Sequence, residues 1–552
     1  MKKKKKLSPW FIVLVVFIVF FWRITVLHCW PDQRVVKQGQ NQYWRSISVS
    51  TTRGTISDRN GEVLAISVPS MSFFVDPKFW NPAYKDKLSG YFSPDVLKKL
   101  SGNLEGRYIL LARKIPYEKG QEIAKLDVPG LYPFQEKKRV YVNGSLMSHV
   151  IGYCDIDDVG LSGTELIWDN VLYSPPETQI IVKDASGINL DISNVSTVKK
   201  SSTKGRVSLT LDSGLQFIVE KYLKEGIELH RARWGAVVCM DPHSGSILSM
   251  ASIPAFDPNN RSTFLKEGVM RNNCIGRVYE PGSTLKPVIA GIALENGLVS
   301  PEERFKCTRK IKVGDKYISD PKAYGNLSLA EVIIKSSNVG MSQIGIRLDP
   351  YKTYKAFINW GFEKPSGLEL NGAETGLIPS PGSWLGVVPG NIAIGQGLAI
   401  SPLQLLTAFS AIANGGSLVR PFIVREAWNS QDEIVYEGKR HERYRVLSEK
   451  TASWLRGVME RVVTEGTGQR VNSEAVQIAG KTGTAQVAEG GEYQEDRWVS
   501  SFAGFWPADS PKFAMVVVIG EPSRGEYYGG SVAGPVFKNI VEDFTSYLKE
   551  TI

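Results

Sequence analysis

Between Trp10 and Trp22 the chain carries thirteen apolar or aromatic residues without interruption, behind five consecutive lysines, Lys2 to Lys6. In a bilayer such a run has one stable form, a helix, because every backbone N–H and C=O must pair inside the segment. Ile24 to Trp30 extend the apolar character, and Arg23 can snorkel near the outer interface, so residues 9–30 are long enough to span. We read them as an uncleaved signal anchor. A cleaved signal peptide is the competing reading, but no small-x-small site follows the apolar core. The lysines would hold residues 1–8 in the cytoplasm, which exports everything after about residue 31.

That lysine run also disposes of a misleading signal. The formal net charge is +10, and five of those charges come from Lys2 to Lys6, so the remainder is only weakly basic and no nucleic-acid partner is inferred. Five cysteines (Cys29, Cys154, Cys239, Cys274, Cys307) are odd in number and too scattered for a disulfide scaffold. There is no Cys-x-x-Cys pair and no histidine cluster, so neither a metal nor another cofactor is expected. The five histidines are read as structural or surface residues.

With 552 residues the chain can bury more than one core, and beyond the anchor it divides into two blocks. Residues 31–205 are turn-rich, with Asn60-Gly61 as a hairpin signal, and read as a β-rich pedestal. The polar stretch Val195 to Gly205 is the expected linker. In residues 206–552, Ala236 to Met240 and Ile247 to Ala251 flank a turn and predict a β-hairpin. Three more strands are expected at Val476 to Gln486, Val499 to Trp506 and Phe513 to Gly520. Helical spacing occupies Leu329 to Ile346 and Pro402 to Ala413, and a closing helix should follow Pro535. Strands at both ends of a block with helices between them imply an α+β fold, an antiparallel sheet flanked by helices.

Three short strings lie on that frame: Ser283-Thr284-Leu285-Lys286, Ser336-Ser337-Asn338 and Lys481-Thr482-Gly483. Singly they are weak; Ser-x-x-Lys also occurs at Ser196, Ser201, Ser319 and Ser546, and Ser101-Gly102-Asn103 is another Ser-x-Asn. Context separates Ser283, since Tyr279-Glu280-Pro281-Gly282 leads into it and a helix-period apolar run follows. Three residues on, Lys286 falls on the same helical face, within reach of the Ser283 hydroxyl. A serine needs a base at neutral pH, and a neutral lysine serves if burial and a nearby positive charge, Lys481, depress its pKa. Ser336 could relay a proton and Asn338 hold a substrate backbone at a helix end. Gly483 would let a bound peptide approach the strand, while Lys481, Thr482 and Thr484 offer a charge and hydroxyls to a carboxylate. A phosphate-binding loop ending at Gly480-Lys481-Thr482 is excluded because position 475 is Ala475 rather than glycine.

In this order the three strings resemble those of class B penicillin-binding proteins, membrane-anchored peptidoglycan transpeptidases. Supporting residues run from the Arg53 to Ala65 motif through Arg139-Val140-Tyr141, Gly160, Gly163, Glu165 and Arg271-Asn272 to Gly395-Gln396-Gly397 and Tyr528 to Pro535. Two departures are Val142, usually proline, and Cys274, usually alanine. The resemblance implies a pedestal of dimerisation type at 31–205 and a serine β-lactamase-like transpeptidase domain at 206–552, on the outer side of a bacterial inner membrane.

It further implies that Ser283 attacks the D-alanyl-D-alanine end of a stem peptide, with Lys286, Ser336, Asn338 and Lys481 as catalytic partners. Thr482, Gly483 and Thr484 would bind substrate, and the Ser283 and Thr484 amides would form the oxyanion hole. β-Lactams would acylate Ser283 and stay, because the deacylating glutamate of class A β-lactamases is replaced by Gly367. Ser336-Ser337-Asn338, the Tyr324-Gly325-Asn326-Leu327 lead-in and the compact length look like the division-specific subclass, and sporulation relatives are expected to carry added C-terminal repeats. An elongation enzyme, or a scaffold activating a partner glycosyltransferase, are the alternatives. A β-lactam sensor is disfavoured by the short cytoplasmic part.

Overall fold

The computed structural model describes residues 8–29, 44–49, 52–100, 109–173, 177–182, 204–490 and 492–551. The expected linker from Val195 lies outside them apart from Lys204 and Gly205, and so does Ser101-Gly102-Asn103. Contacts divide the chain into two units: residues 1–51, 69–137 and 175–202 in the smaller, and residues 52–68, 138–174 and 203–552 in the larger. The two units thus interleave along the chain. The larger unit keeps residues 52–68 and 138–174 because strand Thr55–Ser57 pairs in parallel with Arg206–Leu209, and because Arg53 and Arg139 both bond Glu165.

In the smaller unit, helix α1 (Pro9–Cys29) has a mean hydropathy of 2.6 and no buried residue. Strand Trp44–Val49 pairs antiparallel with Glu177–Val182, and a separate core gathers Phe73, Leu88, Phe92, Leu111 and Ile123.

Five strands make the central sheet of the larger unit: β1 (Trp234–Met240), β2 (Ile247–Ile253), β3 (Ala479–Glu489), β4 (Glu492–Trp506) and β5 (Phe513–Gly520). Their spatial order is β2-β1-β5-β4-β3 and every pairing is antiparallel. Both faces of β1 are covered, which is why its sequence is apolar throughout rather than alternating. Val237 and Cys239 point to one core, while Ala236, Val238 and Met240 point to the other, the period of two that a strand imposes. Cys239 is thus a small buried hydrophobe, as expected.

The helices that matter are α2 (Ser213–His230), α3 (Lys286–Glu295), α4 (Leu329–Ile334), α5 (Asn338–Gly345), α6 (Pro402–Ala413) and α7 (Gly529–Thr551). α2 and α7 supply Leu215, Val219, Phe537 and Ile540 to one face of the sheet; α3 and α6 supply Val288, Ile289, Leu403 and Leu406 to the other. The hairpin and the three later strands match expectation. α7 starts six residues before Pro535, not after it: the helix carries the proline within its second turn, and its first N–H, that of Gly529, is held by Thr484 Oγ1 at 2.9 Å. The run from Leu329 to Ile346 is also not one helix. It breaks at Lys335 to Ser337, with Ser336 at φ +57°, and Ser337 starts α5 by accepting from the Gly340 N–H.

Candidate active site

Pro281 and Gly282 end the preceding segment, and a 3-10 turn, Gly282–Leu285, carries Ser283 into α3. Gly282 has φ +55°, and a side chain there would meet the Thr484 carbonyl oxygen at 2.9 Å, so the turn seats directly on β3. Gly483 has a different role from the one expected. A Cβ at that position would lie 2.5 Å from Ser501 Oγ and 2.8 Å from the Pro281 carbonyl oxygen; the backbone it admits is the protein's own nucleophile turn. Ser283 is half-buried at the start of this turn, where N–H groups have no intrahelical acceptor.

β3 is the edge strand of the sheet. In a strand the N–H and C=O of one residue point to the same side, and sides alternate. The Thr482 carbonyl accepts from Lys481 Nζ at 3.1 Å on the free edge, so the N–H and C=O of Thr484 face that same edge, beside Ser283.

The two lysines are fully buried. Lys286 Nζ donates to the Ser336 carbonyl at 2.6 Å, to Asn338 Oδ1 at 2.8 Å and to Ser336 Oγ at 3.1 Å. Lys481 Nζ reaches the same Ser336 Oγ at 3.0 Å. The left-handed turn at Ser336 is what aims both its carbonyl and its hydroxyl at Lys286. Four of the expected residues, Lys286, Ser336, Asn338 and Lys481, therefore form one connected network centred on a hydroxyl. Ser283 adjoins it by chain connectivity, but Lys286 spends its hydrogen bonds on the Ser336 to Asn338 segment, and none goes to Ser283 Oγ. The α3 spacing brought the two side chains to one turn; the competing acceptors at Ser336 decide where the amine points.

Electrostatics follow from that burial. Lys286 has its pKa brought down to about 7, chiefly by desolvation, with Asp320 pulling the other way. Lys481 is lowered well below the usual lysine value by desolvation and then by Lys286. Burial is thus the main agent at both amines. At neutral pH a neutral amine at Lys286 is readily populated.

Asp320 was not anticipated from sequence. Its carboxylate accepts from Ser337 Oγ at 2.5 Å and from the N–H groups of Asn338 at 2.5 Å and Val339 at 3.3 Å, holding the start of α5 and hence the Ser336 turn. Nothing local in the string Ile318 to Pro321 announces this, because the partners are eighteen residues downstream. Thr467 was also missed; its hydroxyl shares a 2.8 Å bond with Thr482 Oγ1. The Thr482 and Thr484 hydroxyls thus already have protein partners, Thr467 and Gly529. Lys481 is enclosed with Ser336 rather than displayed as a surface charge. Cys274 is buried, its thiol directed at the Ala251 carbonyl at 3.1 Å and its pKa pushed up by burial, so it is not a second nucleophile. Glu369 is tied to the Ile423 N–H and the Tyr436 hydroxyl.

Two family matches cover most of the chain: residues 235–542 match the penicillin binding protein transpeptidase domain, and residues 48–206 the penicillin-binding protein dimerisation domain. The peptidoglycan D,D-transpeptidase FtsI of Escherichia coli K12 is 32% identical over 542 residues, 96% of this chain and 89% of its own. Stage V sporulation protein D of Bacillus subtilis is 32% identical over 543 residues, 96% of this chain and 83% of its own. The solved structure of a peptidoglycan synthetase from Bifidobacterium adolescentis superimposes with a TM-score of 0.72 at 25% identity, covering 92% of this chain and 97% of that one.

Proposed function

The chain belongs to the class B penicillin-binding proteins and is a serine D,D-transpeptidase of peptidoglycan, and on that premise we propose that Ser283 carries the acyl group and that the Lys286–Ser336–Lys481 network activates it. The observation that carries this reading is a lysine with its pKa near 7, buried three residues after a serine whose 3-10 turn seats on the edge strand β3. With Lys286 neutral, its lone pair accepts the proton of Ser283 Oγ directly, or through Ser336 Oγ, which both amines touch. The first route needs Lys286 Nζ to leave the Ser336 carbonyl, a swing its flexible stem permits and substrate closure would favour.

Attack on the penultimate D-alanine carbonyl of a D-alanyl-D-alanine stem then places negative charge on the carbonyl oxygen. The Ser283 and Thr484 N–H groups, one at the turn and one on the strand edge, would receive it; losing one such donor costs about 3 to 4 kcal/mol in the barrier. Asn338 orients the peptide, and the Thr482 and Thr484 hydroxyls take the terminal carboxylate. The proton on Lys286 passes to the departing D-alanine nitrogen. An amine of a second stem resolves the acyl-enzyme by the reverse path, leaving a cross-link.

A β-lactam acylates Ser283 equally but has no rapid exit. By sequence, Gly367 takes the place of the deacylating glutamate of class A β-lactamases, and the carboxylate two residues on, Glu369, is committed to two donors. We assign the enzyme to septal wall synthesis, on Ser337-Asn338 and the Tyr324 to Leu327 lead-in. α1 would be its single anchor with the amino terminus cytoplasmic, and a membrane-embedded glycosyltransferase its working partner. Intact mass after penicillin treatment, with the adduct mapped by digestion, tests the chemistry: one stable adduct on the Ser283 peptide is expected, and rapid turnover of penicillin contradicts it. Cells that divide normally on Ser283→Ala protein alone would contradict the catalytic role in division.

A further inference from the structure

A cavity of about 460 Å³ opens where β3 runs past the lysine network, lined by Gln486, Val487 and Ala488 of the strand, by Arg277 and Glu280 ahead of the Ser283 turn, and by Trp234. Its charged groups are unequally matched. Arg497 bonds Glu521 at 2.7 Å, and Arg233 joins the same carboxylate at 3.0 Å. Glu280 accepts from the Gly397 N–H at 2.9 Å and from the Tyr493 hydroxyl at 3.2 Å. Arg277 has no such match. Its Nε donates to Asn273 Oδ1 at 3.1 Å, its guanidinium lies 4.4 Å from the Trp234 ring centroid, and among the described residues no carboxylate pairs with it. Burial, and then Arg271, hold its pKa below the usual arginine value, with Glu521 pulling the other way. Both Nη groups remain for an incoming fork of two oxygens.

This inference rests on the transpeptidase reading, which fixes the direction of the bound stem. With the terminal carboxylate at the Thr482 end, the rest of the peptide must run the other way along β3, toward Ala488. At a strand rise of about 3.3 Å per residue, Gln486 and Val487 lie about 7 to 10 Å beyond Thr484. A side-chain carboxylate two to three residues upstream of the acyl carbon would therefore arrive at the cavity mouth.

We propose that Arg277 is a specificity-determining residue that binds a free carboxylate of the stem peptide, two to three residues upstream of the acyl carbon, so that the enzyme selects anionic stems over amidated ones. The indole of Trp234 keeps the guanidinium plane fixed for that contact, and Arg497, bonded to both Glu489 and Glu521, and Arg233, bonded to Glu521, do not compete for it.

The test uses detergent-solubilised full-length protein and two synthetic stems ending in D-alanyl-D-alanine, identical except that one carries a free carboxylate and the other a carboxamide at that position. D-Alanine release gives kcat/KM for each. Wild type should prefer the carboxylate by about tenfold or more, a scale set by one charge-assisted fork, with the difference in KM. Arg277→Gln should bring the ratio to about one, and Arg277→Lys should restore part of it. A wild-type ratio near one, or a ratio unchanged in Arg277→Gln, overturns the proposal while leaving the transpeptidase reading intact. Should Arg277→Gln not fold, the wild-type ratio and Arg277→Lys decide alone. Release from neither stem overturns the transpeptidase reading and this inference with it.

Discussion

Two buried charge clusters occupy the larger unit, and they are built on opposite principles. Around Glu165, which is fully buried, the carboxylate is answered by two guanidiniums: it accepts from Arg53 Nε at 2.6 Å and Arg139 Nε at 2.7 Å, while Arg53 also bonds Asp169 and the carbonyls of Asp158 and Glu165. Burial alone would raise the Glu165 pKa, but Arg139 and Arg53 outweigh it and hold the group below the usual carboxylate range. Around Ser336 two amines are buried with no carboxylate bonded to either, and both lysines are pulled down. The first arrangement holds chain segments together. The second sacrifices stability to keep a base available at neutral pH.

The comparison predicts that mutations in the two clusters will separate stability from activity. Lys286→Met removes the base and a desolvated amine together, so penicillin acylation should fall by about a hundred- to ten-thousand-fold while thermal stability is unchanged or rises. A large loss of stability in that variant would mean the amine is structural. Glu165→Ala leaves two guanidiniums buried without their carboxylate and should cost about 3 to 5 kcal/mol in denaturant unfolding, with acylation per folded molecule close to wild type. Because the Glu165 pKa is depressed by folding, its contribution is present above the unfolded carboxylate value and is lost as pH falls through the folded one, so wild type but not Glu165→Ala should lose this increment in acid. Asp320→Asn should act most mildly. Asp320 raises Lys286, so its neutralisation should move the rising limb of the acylation profile to lower pH, with a modest fall in rate as the Ser336 turn loosens.

The motifs were legible because each strand or helix obeys a local rule: the alternation in β1, the apolar face of α3, the turn residues at Pro281-Gly282. Ser283, Lys286, Ser336, Asn338 and Lys481 were singled out because their three strings stand in the order seen in penicillin-binding proteins, and the folded chain brings four of them into one network. What sequence concealed is where side chains turn when acceptors compete. Lys286 faces the Ser336 carbonyl because that residue adopts φ +57°, a left-handed turn no periodicity forecasts and one that also cuts Leu329 to Ile346 into two helices. Gly483 was expected to admit a ligand and instead admits Pro281. Asp320 and Thr467 act across long sequence separations and carry no local cue. The division or sporulation setting is not separated by overall similarity either, since FtsI and stage V sporulation protein D are each 32% identical to this chain.

The central claim is that a buried, deprotonatable Lys286 activates Ser283. The rate of penicillin adduct formation against pH, with the adduct mapped by peptide digestion, tests it most directly. The account predicts a rate that climbs through about pH 7 as Lys286 loses its proton, all of it on the Ser283 peptide. A rate flat across the neutral range, or an adduct on any other residue, would contradict it.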